Sequence, residues 1–109
     1  MTIGIYTLEL YLPGARSLKD RRQVLRRVKD RLRARHNLSI AELGEHGDLW
    51  QRAGLMIVAV AARRDRLENL FETVFNEVRS MVPGEVMETG SDFMEGCDGG
   101  SVGWEGDGP

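Results

Sequence analysis

The chain has 109 residues, 41% of them hydrophobic and 29% charged, a length and composition typical of one globular domain. No run approaches the roughly 18 apolar residues that would span a membrane, and the N-terminus lacks the features of a secretory signal, so we expect a cytoplasmic protein with no membrane partner. The single cysteine, Cys97, excludes an intrachain disulfide and a cluster of thiolate metal ligands within one chain.

The formal net charge of −2 combines two opposed parts of the chain. Residues 1–82 carry all fifteen Lys and Arg against ten Asp and Glu, whereas residues 83–109 carry seven acids and no base. Residues 96–109 include six glycines and few large apolar side chains, a composition that buries too little surface to offset its ordering entropy. The sequence therefore predicts a single domain over residues 1–95 and a flexible, acidic, glycine-rich tail over residues 96–109.

The first half of the chain predicts a strand and a helix. Side chains alternate between apolar and mixed from Ile3 to Leu12, which indicates a strand with one face on the core. Ser17, followed three residues later by Asp20, predicts the N-cap of a helix that continues to His36. The apolar residues of this helix, beginning with Leu18, form one stripe that should pack on the core.

Three strands and a second helix are predicted for the rest of the domain. Residues 38–44 indicate a short second strand, and the charge-free run from Ala53 to Ala62 indicates a third strand, central in the sheet and buried on both faces. Asp65 predicts the N-cap of a second helix, which ends at Val82. Residues 85–94 carry charges and a glycine, as expected of a fourth strand at a sheet edge.

The order βαββαβ predicts a ferredoxin-like α+β fold, a four-stranded antiparallel sheet with two helices on one face. The other sheet face then stays open, and it includes Ile3, Ile5 and Tyr11, which are too apolar for full exposure. A homodimer that packs sheet on sheet would cover this face, and so would a return of the C-terminal segment. We favour the homodimer.

The first helix is strongly basic, with nine bases and two acids over residues 17–36. At 100° per residue, five of these bases share a stripe about 80° wide beside the apolar face, which we call the cationic ridge. Its members are Lys19, Arg22, Arg26, Lys29 and Arg33. Solvated helix faces normally mix both signs of charge, so the bias favours binding of a nucleic acid or another polyanion. An acidic protein, or the acidic tail of the chain itself, is the alternative partner.

Other chemistry finds little support in the sequence. The third strand has no aromatic residue, and Tyr6 and Tyr11 should point to opposite faces, so the sheet lacks the platform on which RNA bases stack. His46 and Asp48 share a glycine-containing turn and match no spacing of metal ligands, and Cys97 has no partner base. We therefore expect no enzyme activity, cofactor, metal site or small-molecule substrate.

Several segments of the chain together resemble one protein family. They are Leu12-Pro13, Ser17-Leu18-Lys19, Arg21-Arg22, Arg31-Leu32, Asn37 to Glu42 and Asp48 to Ala53. Over about residues 1–90 the chain resembles the YlxP-like family of small bacterial proteins of unknown function. The resemblance implies a ferredoxin-like fold, no established activity, and an association with translation-initiation and ribosome-maturation genes. In the last of these segments we expect Arg52 to pair with Glu42 across a hairpin.

These observations together predict a non-enzymatic RNA-binding or ribosome-associated accessory factor in which the cationic ridge contacts phosphates. The alternative is a dimeric protein-interaction or regulatory module whose basic helix binds an acidic protein. The two differ in their response to salt and in whether RNA is needed.

Overall fold

The computed structural model describes residues 1–44 and 51–96. Six elements occupy them: β1 (Thr2–Tyr11), α1 (Leu18–Arg35), β2 (Ser39–Leu43), β3 (Arg52–Ala61), α2 (Arg64–Met81) and β4 (Glu85–Glu95). The strands pair antiparallel in the order β2-β3-β1-β4. This arrangement confirms the predicted ferredoxin-like α+β fold. The predicted tail lies outside the described residues from Cys97 onward.

The alternation of β1 decides which sheet face becomes the core. Tyr6, Leu8 and Leu10 are each at most 1% exposed, because they point to the face that the helices cover. From α1, three side chains that recur at helical spacing, Leu25, Val28 and Leu32, complete this layer. The odd-numbered side chains of β1 lie on the opposite, open face.

The predicted start of α1 is confirmed. Ser17 is the N-cap, and its Oγ accepts a hydrogen bond from the Asp20 backbone N–H at 3.2 Å. The Asp20 carboxylate in turn accepts the Arg16 backbone N–H at 2.9 Å, so one unpaired donor of the first turn and one just before the helix are satisfied. The placement of Leu18 in the core is wrong, since it is 46% exposed. It lies in the first turn, ahead of the buried residues.

The predicted start of α2 is wrong. The N-cap is Arg63, which makes no side-chain capping hydrogen bond, and Asp65 lies inside the first turn. The carboxylate of Asp65 accepts two hydrogen bonds from the Arg63 guanidinium, at 3.0 and 3.1 Å. These bonds lower the pKa of the Asp65 carboxyl. The buried face of α2 places Leu67, Phe71 and Val78 in the core.

The third strand is central, as predicted, but only one of its faces is buried. Leu55 and Ile57 face the helices and are fully buried, while Val58 is half-buried and Val60 is 54% exposed on the open face. The prediction of burial on both faces fails because both helices pack on the same side of the sheet. The predicted edge position of β4 is confirmed, and a bulge interrupts its pairing with β1 after Thr7.

Candidate nucleic-acid interface

The cationic ridge lies on the flank of α1 that faces β2, an edge strand. Leu25, Val28 and Leu32 fix the rotation of the helix by pointing into the core. A rotation of 100° per residue then places the ridge residues on the flank beside them. The five predicted residues therefore share one surface along the outer side of the protein.

Two ridge residues contact β2. The Lys29 ammonium lies 2.9 Å from a carboxylate oxygen of Glu42, and Arg33 Nη2 donates to the Ile40 carbonyl at 3.1 Å. Arg21 also approaches Glu42, at 3.8 Å. The predicted pair of Arg52 with Glu42 is therefore wrong. Glu42 points to the helix side of the sheet, and Arg52 instead lies 3.6 Å from Glu9 on the open face.

The other three ridge residues, Lys19, Arg22 and Arg26, are exposed, and none of them pairs with any residue of 1–44 or 51–96. A shallow groove of about 400 Å³ runs along the ridge. Its lining comprises Arg22, Arg26, Lys29, Asp30, Arg33 and Glu42. Two of the three unpaired cations, Arg22 and Arg26, therefore line the groove, where they are suited to anionic groups that arrive from solution.

The bases on the opposite flank of α1 pack the helix against α2. Arg27 Nη2 donates to the Met81 carbonyl at 3.3 Å, and Arg35 lies 3.6 Å from the Glu77 carboxylate. Glu77 also contacts the His36 imidazole at 2.5 Å, just after α1 ends. The sequence did not predict that one flank of α1 contacts α2 while the other carries the unpaired bases, because the bases of both flanks look alike on a helical wheel.

The charge of the described domain is divided between its two edges. Next to the β2 edge lies α1, with nine bases and two acids. At the opposite edge lies β4, which carries four acids and no base. A polyanion is therefore attracted to the α1 side and repelled from the β4 side.

The sheet offers no aromatic platform for bases, as predicted. Tyr6 is buried under α2, with its ring stacked on Phe71 at a centroid distance of 4.7 Å. Tyr11 is 41% exposed on the other face. Stacking of nucleic-acid bases on the two central strands is therefore excluded as the mode of recognition.

A second cavity, of about 350 Å³, lies between α2 and β4 and was not predicted from the sequence. Its lining is aromatic and acidic, with Tyr6, Phe71 and Phe93 beside Glu68, Glu72 and Glu88, and with Arg64 above the Phe93 ring. The sequence signal that could have indicated it is the pair of aromatic residues on α2, Phe71 and Phe75. Carboxylates at this cavity disfavour an anionic ligand there.

We expect the stability of the protein to fall above about pH 10 because of Tyr6. Burial of the phenol and its 2.7 Å hydrogen bond to Glu88 raise the Tyr6 pKa above its ordinary value of 10.0. The stabilisation is present below pH 10 and is lost as the pH rises toward the folded-state pKa, because only the unfolded phenol ionises readily. The expected loss is about 1 kcal/mol per pH unit.

Urea unfolding at about pH 8 and about pH 11 checks this expectation, with Tyr6→Phe as the control. The variant cannot ionise at this position, so it should lose less stability than the original protein between the two pH values. Equal losses in both proteins would show that other groups cause the alkaline destabilisation.

Within residues 1–44 and 51–96, no three His, Cys, Asp or Glu side chains are grouped so that they could hold a metal ion. His46, Asp48 and Cys97, which the sequence analysis considered, lie outside the described residues. Among the described helices, neither is long and apolar enough to cross a membrane.

Solved structures with the same fold come from proteins of different kinds. The chain is similar to a C-terminal segment of the alpha subunit of aIF2 from Pyrococcus abyssi, with a TM-score of 0.51, 19% identity and coverage of 81% of this chain. It spans only about half of that segment, 48%. It is also similar to SnoaB, a cofactor-independent oxygenase from Streptomyces nogalater, with a TM-score of 0.51, 11% identity and coverage of 88% and 94% of the two chains.

Sequence comparison identifies one relative and one protein family. The chain is 38% identical over 72 residues to the uncharacterized protein YlxP of Bacillus subtilis (strain 168), a match that covers 66% of this chain and 77% of YlxP. The family model described as "Protein of unknown function (DUF503)" matches residues 3–90. These matches confirm the resemblance found in the sequence, and the chain belongs to the DUF503 family.

Proposed function

We propose that this protein is a non-enzymatic, cytoplasmic RNA-binding or ribosome-associated accessory factor that binds RNA phosphates through the cationic ridge of α1. One observation carries the proposal. Lys19, Arg22 and Arg26 are exposed and have no partner in the described part of the chain, on a helix with nine bases and two acids. Such an excess of unpaired positive charge on one surface is the usual footprint of nucleic-acid binding.

The length of the ridge suits an RNA backbone. Lys19 and Arg33 are fourteen residues apart in one helix, which corresponds to about 21 Å along its axis. Phosphates of one strand follow each other by about 3.4 Å along the axis of a DNA duplex, so the ridge is as long as several phosphate spacings of a nucleic-acid backbone. Contacts of this kind position a protein on nucleic acid without reading its sequence. We therefore propose recognition of RNA shape and backbone.

The salt dependence of binding should report how many ridge residues take part. Three unpaired cations predict a log-log slope of about −2 on single-stranded RNA, and all five predict about −3.5. The steeper slope requires two contacts to be replaced by contacts with phosphates. Lys29 must leave Glu42, and Arg33 must leave the Ile40 carbonyl. Between about 50 and 200 mM salt, these slopes weaken binding roughly 16-fold and 130-fold.

The test is a titration of the full chain with structured ribosomal RNA fragments and with a single-stranded RNA of the same length, across a salt series. Saturable binding to the structured fragments, with a slope of −2 or steeper, would support the proposal. No binding at the lowest salt, or binding that salt leaves unchanged, would contradict it.

Likeness of fold does not contribute to this proposal. The aIF2 segment and the oxygenase share the fold but differ in what they are, so the fold by itself favours neither role.

A second candidate is a regulatory module that binds an acidic protein. It is favoured by the ion pair of Lys29 with Glu42, which shows that the ridge accommodates a carboxylate at 2.9 Å. This candidate requires no RNA. It therefore predicts that the chain is recovered from cells in complexes that survive nuclease treatment, whereas the leading proposal predicts their loss.

A further inference from the structure

The sheet face that points away from the helices, which we call the open sheet face, is unusually apolar. Ile3 and Ile5 of β1 and Val58 of β3 are only half-buried there. Val60, Met87 and Met94 are each more than half exposed. A contiguous patch of this kind marks an interaction surface in a soluble domain.

The size of the open sheet face suits a second copy of the chain. Three strands of ten or eleven residues, with the shorter β2 beside them, extend over an area about 34 Å long and 14 to 19 Å wide. Each protomer would bury roughly 600 Å², and the pair roughly 1,200 Å², the lower bound for specific protein interfaces.

Charge decides how two copies would pack. A two-fold axis perpendicular to the strands would place the acidic β4 over the partner's β4 and bring together the two carboxylates that each β4 carries on the open face, Glu85 and Asp92. An axis parallel to the strands would place β4 over the partner's β2, which lies beside the basic α1. At the roughly 10 Å spacing of packed sheets, the first arrangement is repulsive. In the second, β4 faces the uncharged Ser39, Ala41 and Leu43 of the partner's β2 and avoids this repulsion.

We propose that the protein forms a homodimer through the open sheet faces, with the two-fold axis parallel to the strands and between β1 and β3. Each β1 then lies over the partner's β3, and each β4 over the partner's β2. The two cationic ridges lie on the outer sides of the dimer and remain accessible.

The strand register is consistent with this geometry. Rotation about an axis parallel to the strands leaves the position of every residue along the strand direction, its height, unchanged. Residues that are register partners within one sheet therefore face each other across the interface. Ile5 therefore faces the partner's Val58, and Tyr11 faces the partner's Arg52. Glu9 faces the partner's Gly54 and meets no carboxylate. Apolar side chains of β1 and β3 occupy the centre, and charges lie toward the ends of these strands or on the edge strand β4.

Cysteine cross-linking tests the orientation of the axis. Ser39 on β2 and Asp92 on β4 lie at the same height, since they pair with Val58 and Ile5, which pair with each other. They are three strand spacings apart within a protomer, about 14 Å, but face each other across the proposed interface. Both are exposed, so a cysteine at either position disturbs no packing in the protomer.

The experiment mixes a Ser39→Cys chain with an Asp92→Cys chain, both with Cys97→Ser, and adds a short bismaleimide. We expect a cross-linked dimer in the mixture and little in either chain alone, because like cysteines lie about 17 Å apart in the proposed dimer. No cross-link in the mixture would overturn the proposed orientation, as would efficient cross-linking of Asp92→Cys alone.

Analytical ultracentrifugation tests whether the dimer exists at all. We expect a dimer at micromolar concentration and a dissociation constant at least about a hundredfold higher for Val60→Asp, which buries an unpaired charge at the interface. Asn69→Asp adds the same charge on the exposed side of α2 and should leave the dimer intact. A monomer at all concentrations, or equal effects of the two substitutions, would overturn the proposal, and a monomer would point to residues 97–109 as the cover.

These tests distinguish a failure of the proposed RNA binding from a failure of the proposed dimer. Val60 lies on the face opposite the helices, so a monomeric Val60→Asp protein keeps its ridge and its intrinsic affinity for RNA. A dimer that binds no RNA would contradict the proposed function alone.

Discussion

Replacement of both Arg22 and Arg26 with glutamate should weaken binding to a structured ribosomal RNA fragment about 30-fold at low salt. The change removes two attractions to phosphate and adds two repulsions, each worth about 0.5 kcal/mol in a solvated site, and about 2 kcal/mol corresponds to a factor of 30. On the single-stranded RNA, the salt slope should become shallower by about 1.4, as expected for the loss of two contacts.

The matched control replaces Arg66 and Arg79 with glutamate. Both residues are exposed on α2, so the net charge of the protein changes by the same amount while the ridge stays intact. We expect this variant to lose less than about threefold in affinity, because charges beyond a Debye length are screened. Equal losses in the two variants would show that net charge, and not the ridge, governs binding.

Loss of folding cannot explain the expected effect of the ridge variant. Arg22 and Arg26 are exposed and make no hydrogen bond or ion pair with other described residues, so the free energy of unfolding should change by less than about 0.5 kcal/mol. Urea titration of the variant checks this before any binding is measured.

The largest effect on stability is expected for Gly84→Ala. Gly84 follows α2 and passes against the end of β1, where an added Cβ would lie only 2.0 Å from the Tyr11 carbonyl oxygen and 3.0 Å from Pro13. Backbone cannot yield as a side chain does, so the turn or the strand must shift, at a cost of about 3 kcal/mol. In a domain of this size we expect the melting temperature to fall by roughly 12 to 24 °C.

Gly14→Ala provides the control for Gly84→Ala. Gly14 lies close by in the chain after β1, but a Cβ there would meet nothing within 4 Å. Its backbone φ is not positive, so alanine is tolerated and should stabilise slightly by restricting the unfolded chain. Equal melting temperatures of the two variants would contradict the close approach of Gly84 to β1.

Local patterns were sufficient to predict the elements and their order. The alternation of β1 gave the buried face that includes Tyr6, and the spacing of Ser17 and Asp20 gave the start of α1. The start of α2 failed because a rule based on residue type favours Asp65 as the cap. In the structure, Arg63 takes the cap position and binds the Asp65 carboxylate.

Contacts between distant elements could not be predicted in the same way. A helical wheel of α1 shows bases on both flanks of the apolar stripe, and only the packing of the helix decides which flank lies beside β2. Because of this packing, Glu42 forms its ion pair with Lys29, and Arg52 lies beside Glu9 instead. The aromatic cavity likewise joins residues more than 80 positions apart, such as Tyr6 and Glu88, which no local pattern connects.

The ridge itself was predictable because helical periodicity fixes its five residues relative to one another. The sequence did not indicate that Lys29 and Arg33 are held by β2 while Arg22 is not, because the contact partners come from another strand. The unpaired subset, which the proposed function depends on most, emerged only from the packed structure.

The most direct test is an NMR titration of the isotope-labelled full chain with a structured ribosomal RNA fragment, followed through the backbone amides. If RNA binds as proposed, shift changes should concentrate in α1 between Lys19 and Arg33 and in the adjacent β2, while β4 stays unchanged. Changes confined to the open sheet face or to the cavity between α2 and β4, or no changes at all, would contradict the assignment of RNA binding to the ridge.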